Sequence, residues 1–366
     1  MKKWIIVVLA ALAVLASCSI TGLTNPAETT DPATTFCLAN GDLAAKDQGL
    51  DQSVAVTADE IKYVKRYMAL QSQQGMTRSI DLGADIAPLI VLMYHHVVAD
   101  DKTDISDYAR TESQFRADME YLKTNGIKVV SFEDLRGYEE RGAAPEARMA
   151  IISMDDGYAS QLERAVPILK EYGYKASFSI PTSVIGSDPF FMDWADLQIL
   201  TAYTGADGKK PFTVAAHTVN HASLLDGADY TDDEGLAAYL SYLKRQIYMA
   251  KLNLERRSVL DEDAALTLCL PYGAGSGKQE IVAMAKLYGY SFIRTSDHSD
   301  YAAGSYTRGA MDAFTDSPWA LPSLPVMHST DIAVIANYFA ALPARLGFPA
   351  GTTYTTTTTT TIAAAE

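Results

Sequence analysis

Two short strings hold the residues best suited to chemistry. His217-Thr218-Val219-Asn220-His221 sets two of the chain's six histidines four residues apart. At that spacing two imidazoles face one side of a helical turn, or close a loop around one ion. The second string, Asp155-Asp156-Gly157, follows the apolar run 150–154. Adjacent carboxylates at the end of a buried strand repel each other and resist desolvation. A divalent cation relieves both costs, with one Asp as ligand and the other left as a base. Taken alone, Asp-Asp-Gly is also good turn chemistry, and a histidine pair also occurs in surface loops. One Asp and two His together have the composition of a catalytic zinc site with a position left for water. Such an ion lowers the pKa of its water and polarises a carbonyl, and a free carboxylate beside it serves as general base.

These residues need a scaffold. Strand-like runs at 86–94, 128–131, 149–154, 176–180, 212–216, 266–270 and 291–294 alternate with helical patterns at 112–125, 160–172, 233–257 and 277–288. That alternation predicts a parallel sheet, open or closed into a barrel. Both strings directly follow a predicted strand, and barrels of parallel strands build their sites at that end. A further helix is predicted over 58–74. The tail at 352–361 is threonine-rich, low in complexity and predicted to be unfolded.

The composition narrows the partners. Hydrophobic residues make up 48% of the 366, enough for a sizeable core and against disorder throughout. The net charge of −15 and the lack of a basic run argue against nucleic acid. Residues Trp4 to Ala16 are all apolar behind Met1-Lys2-Lys3. The run is too short to span a membrane and reads as the apolar region of a signal peptide. It ends in Leu15-Ala16-Ser17-Cys18, which resembles a bacterial lipobox whose cysteine is lipidated. Several acyl chains on Cys18 suffice for stable membrane anchoring. Of the other cysteines, Cys37 and Cys269, the second lies in a strand-like run and reads as a buried thiol.

The motifs resemble those of the polysaccharide deacetylases, carbohydrate esterase family four, whose shared unit is the NodB homology domain. Ser153-Met154-Asp155-Asp156-Gly157 is similar to the first motif and His217-Thr218-Val219-Asn220-His221 to the second. Leu270-Pro271-Tyr272-Gly273 is similar to the third. Leu92-Met93-Tyr94-His95-His96-Val97 resembles the opening strand of the branch acting on poly-N-acetylglucosamine-like polymers, and 114–127 its first helix and next strand. The resemblance covers about 85–346. It implies a distorted parallel (β/α) barrel and a divalent metal, zinc or cobalt. It also implies metal binding by Asp156, His217 and His221, with Asp155 as general base and the Tyr272 N–H on the oxyanion. Pro271 would line the substrate cleft, and His95, which follows a strand-like run, either lines it too or is a satisfied core histidine. Trp194 offers either a sugar-stacking face or core filling. Asp297-His298-Ser299-Asp300-Tyr301 resembles the fourth motif. Val326-Met327-His328 resembles the fifth, whose histidine is the general acid. Where many members carry an arginine to brace the catalytic Asp, this chain has Cys269.

The expected division is a lipoprotein signal peptide over 1–17, a flexible tether over 18–57, a helical lead-in over 58–84, the deacetylase domain over 85–346 and a tail over 347–366. The expected function is metal-dependent removal of acetyl groups from N-acetylhexosamine units of an extracytoplasmic polysaccharide, at a bacterial cell envelope. Alternatives are an O-acetyl esterase on a xylan-like polymer and a non-catalytic glycan-binding lipoprotein. The intact Asp155/Asp156/His217/His221 set favours catalysis, since a pure binder needs no base beside a metal.

Overall fold

Apolar runs without polar alternation form strands buried on both faces, as a parallel sheet covered by helices requires. The computed structural model describes residues 50–73, 81–82, 89–141, 148–261, 264–296, 318–340 and 354–355. In chain order the elements begin with helix Ala58–Gln73 (α1), strand Leu89–Tyr94 (β1) and helix Glu112–Thr124 (α2). Strand Lys128–Val130 (β2), helix Phe132–Arg141 (α3), strand Met149–Asp155 (β3) and helix Val166–Tyr172 (α4) follow. Next come strand Ala176–Ile180 (β4), helix Trp194–Ala202 (α5), strand Phe212–Ala216 (β5), and helices Asp233–Leu243 (α6) and Met249–Arg256 (α7). Strand Thr267–Cys269 (β6), helix Gln279–Leu287 (α8), strand Phe292–Arg294 (β7), strand Leu324–Pro325 (β8) and helix Ile332–Ala340 (α9) complete the body.

The eight strands form one sheet in the order β7-β6-β5-β4-β3-β1-β8, with β2 also pairing β3. Every pairing is parallel. β1 follows β3 along its length, from Leu89↔Met149 to Tyr94↔Met154. The other edge of β3 is shared: β2 meets residues 149–151 and β4 meets 153–155. Four strand steps separate β7 from β3, about 19 Å in a flat sheet. Yet the guanidinium of Arg294 on β7 lies 2.5 Å from the carboxylate of Asp155 on β3. The sheet is therefore curled, with these side chains on its concave face. Leu321 bridges to Arg294 in parallel, and Leu324 just after it pairs with Leu92, so this segment links the two ends of the sheet. This is the expected distorted parallel (β/α) barrel.

Strand parity sorts the core. Ile90, Leu92, Tyr94, Ala150, Ile152 and Met154 belong to the large cluster under the helices. Leu89, Val91, Met149 and Ile151 join Phe292 and Leu321 in a smaller cluster. Continuing the second parity along β3 brings Ser153 and then Asp155 onto the concave face. Apolar side chains thus close the start of the barrel, and polar ones collect where the strands end.

All seven predicted strand runs form strands. Predicted helix 160–172 opens as a π turn, Gln161–Ala165, and predicted helix 233–257 is interrupted by another, Lys244–Tyr248. Helices α3, α5 and α9 were not foreseen; α9, Ile-Ala-Val-Ile-Ala-Asn-Tyr-Phe-Ala, is too uniformly apolar to show a helical stripe. Residues 54–57 are not part of a free tether. Val54 O accepts from Arg245 Nη1, the Val56 N–H donates to Ser241, and Thr57 and Glu60 form a reciprocal cap on α1. The lead-in helix itself packs on the body, with Val64 buried and Glu60 bonded to Lys244 and Tyr288. Tyr354–Thr355 of the tail pairs antiparallel with Asp81–Leu82, so the expectation of an unfolded tail does not hold at these two residues. Cys18, Cys37 and 297–301 lie outside the described residues. Among the described residues no helix is long and apolar enough to cross a membrane.

Candidate metal centre and active site

β3 ends at Asp155, and the next residue turns sharply. Asp156 has φ 74° and Gly157 φ 71°. A left-handed residue is costly for any side chain but glycine. A Cβ on Gly157 would also lie 3.2–3.3 Å from Ile185 and Ile180. The turn aims Asp156 away from Asp155, over the mouth of the barrel. β5 ends one residue before His217, and Thr218 and His221 are left-handed as well (φ 65° and 58°). This doubly bent loop brings both histidines back over the same point.

The Asp156 Oδ1 atom lies 3.4 Å from His217 Nε2 and 3.3 Å from His221 Nε2, and the two Nε2 atoms are 3.1 Å apart. A tetrahedral ion with bonds of about 2.0–2.1 Å has ligand atoms about 3.3–3.4 Å apart, so the spacing fits one divalent cation. The donor chemistry fits too. His217 Nδ1 is 2.8 Å from the Cys269 carbonyl. A carbonyl only accepts, so Nδ1 carries a proton there and Nε2 is the nitrogen left to face an ion. His221 Nδ1 is 3.0 Å from the Tyr272 hydroxyl, which also faces the His221 carbonyl at 3.4 Å. Burial lowers the pKa of His221 to about 4, which keeps it neutral and able to ligate at ordinary pH. Burial pushes Asp156 upward, and positive charge at the His221 and His217 positions beside it would hold it well below the usual carboxylate range, a role a cation fills when the rings are neutral. Its Oδ1 is buried and makes no hydrogen bond among the described residues. Such an atom is expensive to leave without a partner, and a cation supplies one. These three residues could hold a metal ion.

Asp155 sits below them with no such gap. Its Oδ2 accepts from Arg294 Nη2, and its Oδ1 accepts from Ser153 Oγ at 3.2 Å. His217 Nε2 is 3.9 Å away. Burial raises its pKa, but the Arg294 charge, together with His217 and His95, holds it below the usual range. Arg294 is fully buried and also touches Met93 Sδ and Ser323. The missing brace is thus found on the next strand. Arg294 pairs in register with Cys269, so β7 supplies the guanidinium that β6 lacks. Sequence reasoning missed Arg294, although an arginine ending an apolar strand-like run is itself a signal, because a buried charge needs a partner. Cys269 is a buried free thiol, as expected, and accepts from Ser179 Oγ at 3.1 Å.

Residues 142–293 match the family model described as polysaccharide deacetylase. Over that stretch the chain is similar to the polysaccharide deacetylases. Among curated relatives, the Bacillus subtilis protein YxkH, named as a polysaccharide deacetylase, is 22% identical over 188 residues, which are 51% of this chain and 62% of that protein. A poly-β-1,6-N-acetyl-D-glucosamine N-deacetylase of Staphylococcus epidermidis is 30% identical over 87 residues, which are 24% of this chain and 30% of that one. The chain therefore spans under two thirds of either. Solved structures share the fold. A de-N-acetylase from Aggregatibacter actinomycetemcomitans aligns with TM-score 0.54 at 19% identity, over 68% of this chain and 99% of its own. IcaB from Ammonifex degensii aligns with TM-score 0.51 at 20% identity, over 70% and 98%.

The remaining candidates fall at differing distances from this centre. His95 follows β1, with Nε2 4.0 Å from Asp156 Oδ2 and its ring against Tyr108. Pro271 is buried and opens a 3-10 turn, in which Tyr272 is left-handed and 44% exposed. Gly273 in that turn cannot change, because a Cβ would fall 2.3 Å from Ser296 O. His328 follows β8 at the same end of the barrel. Its N–H donates to Asp107 O, and its Nδ1 lies 3.2 Å from Gln114 Oε1. Its described contacts are thus to α2 and the 107–108 turn rather than to the metal set. Trp194 is half-buried at the start of α5 with the Arg257 guanidinium 5.2 Å from its ring, so that cation already occupies one ring face. No described contact joins it to Asp155, Asp156, His217 or His221.

Proposed function

We propose that this protein is a metal-dependent hydrolase that removes acetyl groups from N-acetylhexosamine units of an extracytoplasmic polysaccharide. One observation carries the reading: three inward-facing ligand atoms, 3.1–3.4 Å apart, lie beside an ionised carboxylate that is not among them. Asp156, His217 and His221 hold the ion, which when bound supplies Lewis acidity to the acetyl carbonyl and the attacking water. Asp155 takes the proton from that water as it attacks the carbonyl carbon. The Tyr272 N–H donates to the developing oxyanion, and the Pro271 turn sets its direction. The C–N bond then breaks and His328 protonates the departing amine. The name of the staphylococcal relative supports a β-linked glucosamine polymer as substrate.

Chelation is expected to abolish acetate release from N-acetylated oligosaccharides, and zinc or cobalt to restore it. His217→Ala should lose bound metal together with activity. Full turnover by protein shown metal-free by elemental analysis sinks the reading. Release only from O-acetylated xylan would assign the same centre to an esterase.

The string ending in Cys18 supports a lipid anchor on an extracytoplasmic membrane face. Cys18→Ser is expected to leave the precursor unprocessed or the protein released from membranes. Mass spectrometry of the mature N-terminus decides: an unmodified first residue other than Cys18 excludes lipidation.

A further inference from the structure

Both π turns found among the described residues carry a fully buried glutamine, and each glutamine reaches backbone or loop atoms of the candidate metal centre. A π turn inserts one residue into a helix and often marks a functional site. In the turn between α6 and α7, Gln246 is fully buried. Its Oε1 accepts from the Val219 N–H at 3.2 Å, and its Nε2 donates to Asn220 Oδ1 at 2.7 Å. Val219 and Asn220 lie between the two ligand histidines. The same helix face continues the grip: Tyr242 and Tyr239 donate to the carbonyls of Ser223 and Leu224, both at 2.7 Å. In the turn before α4, Gln161 is fully buried as well. Its Nε2 donates to the carbonyls of Asp155 and His95 at 2.5 and 3.0 Å.

The loops held this way are the strained ones. Thr218 and His221, on either side of Val219 and Asn220, are left-handed, as is Asp156 next to Asp155. Left-handed non-glycine residues cost roughly 1–3 kcal/mol each and persist only where the surroundings over-determine them. The hydrogen bonds from the π-turn glutamines supply that constraint from the side away from the ion.

We propose that Gln246 and Gln161 are positioning residues that preset the ligand geometry of the Asp156/His217/His221 centre and thereby its metal affinity. This rests on the metal reading above. Outer partners of metal ligands commonly contribute about 10–100-fold in affinity. The test uses the full-length protein, stripped and titrated with zinc and cobalt against a competing chelator, with the cobalt visible spectrum as a readout of ligand geometry. Gln246→Met and Gln161→Met keep side-chain length and remove the hydrogen bonds. Each is expected to weaken metal binding about tenfold or more and to alter the cobalt spectrum, with turnover recovering at high metal. Gln246→Glu, which keeps an acceptor for Val219, should fall between Gln246→Met and wild type, and it decides the matter should Gln246→Met fail to fold. Tyr290→Phe removes a buried hydrogen bond to Ile247 O in the same π turn without touching the loop, and should leave metal affinity unchanged. Wild-type affinity and spectrum in the glutamine variants, or an equal loss in Tyr290→Phe, overturns the inference while the metal reading stands. A wild-type protein that binds neither ion overturns both.

Discussion

Asp155→Asn is expected to lower turnover by roughly 10²–10⁴-fold, the usual range of a general base, while the metal stays bound. The amide keeps the shape of the carboxylate: its one oxygen can accept from Arg294 and its NH2 can donate to Ser153 Oγ, but it cannot take a proton from water. The metal should stay because Asp156, His217 and His221 converge without using Asp155. The Arg294 charge loses its counter-charge in this variant. Some stability is therefore lost, and turnover must be read on folded protein well below its unfolding temperature. Asp156→Asn should behave in the opposite way: metal binding weakens, and activity partly returns at high metal. Acetate release together with metal content separates the two. Near-normal turnover of metal-loaded Asp155→Asn would place the base elsewhere.

Arg294→Met should destabilise the fold by about 3–5 kcal/mol, the cost of leaving one partner of a buried ion pair alone. Both groups are buried at the centre of the barrel, and Arg294 joins β7 to β3, β1 and the segment before β8. Turnover should fall as well, because Ser153 is then the one described side chain still hydrogen-bonded to the Asp155 carboxylate. The double variant with Asp155→Asn should lose much less stability than the two single losses added, since neither charge is then left unmatched. Denaturant unfolding of the four proteins measures this coupling. Additive losses, or a wild-type midpoint for Arg294→Met, would show that the pair does not hold the barrel together.

The motif residues were legible because each is local. Asp155-Asp156, His217-x-x-x-His221 and Pro271-Tyr272-Gly273 are short strings at the ends of apolar runs, and those runs predicted the parallel strands that bring them to one end. The inward direction of Asp155 was not legible in this way, since the strand is buried on both faces; the structure shows it with the parity of Met149 and Ile151. The opposite direction of Asp156 has another cause. Strand alternation alone would turn it outward to the helices, whereas its left-handed backbone, with Gly157 behind it, swings it over the barrel mouth.

Arg294 lies 139 residues from Asp155 and is matched to it only by the curl of the sheet and the Arg294↔Cys269 register. The cysteine that read as a missing brace marks the strand beside the one that carries it. Gln161 and Gln246 were equally hidden, since a glutamine within a helical pattern looks like a solvated position until a π turn rotates it inward. Short strings and the alternation of strand and helix runs reside in the chain itself, and they pointed to the candidate ligands, the candidate base and the end of the barrel where these meet. Partners contributed by neighbouring strands and by the backs of helices depend on register and curl, which arise only when the whole sheet closes, so only the tertiary structure decided what holds Asp155 and the metal loops in place.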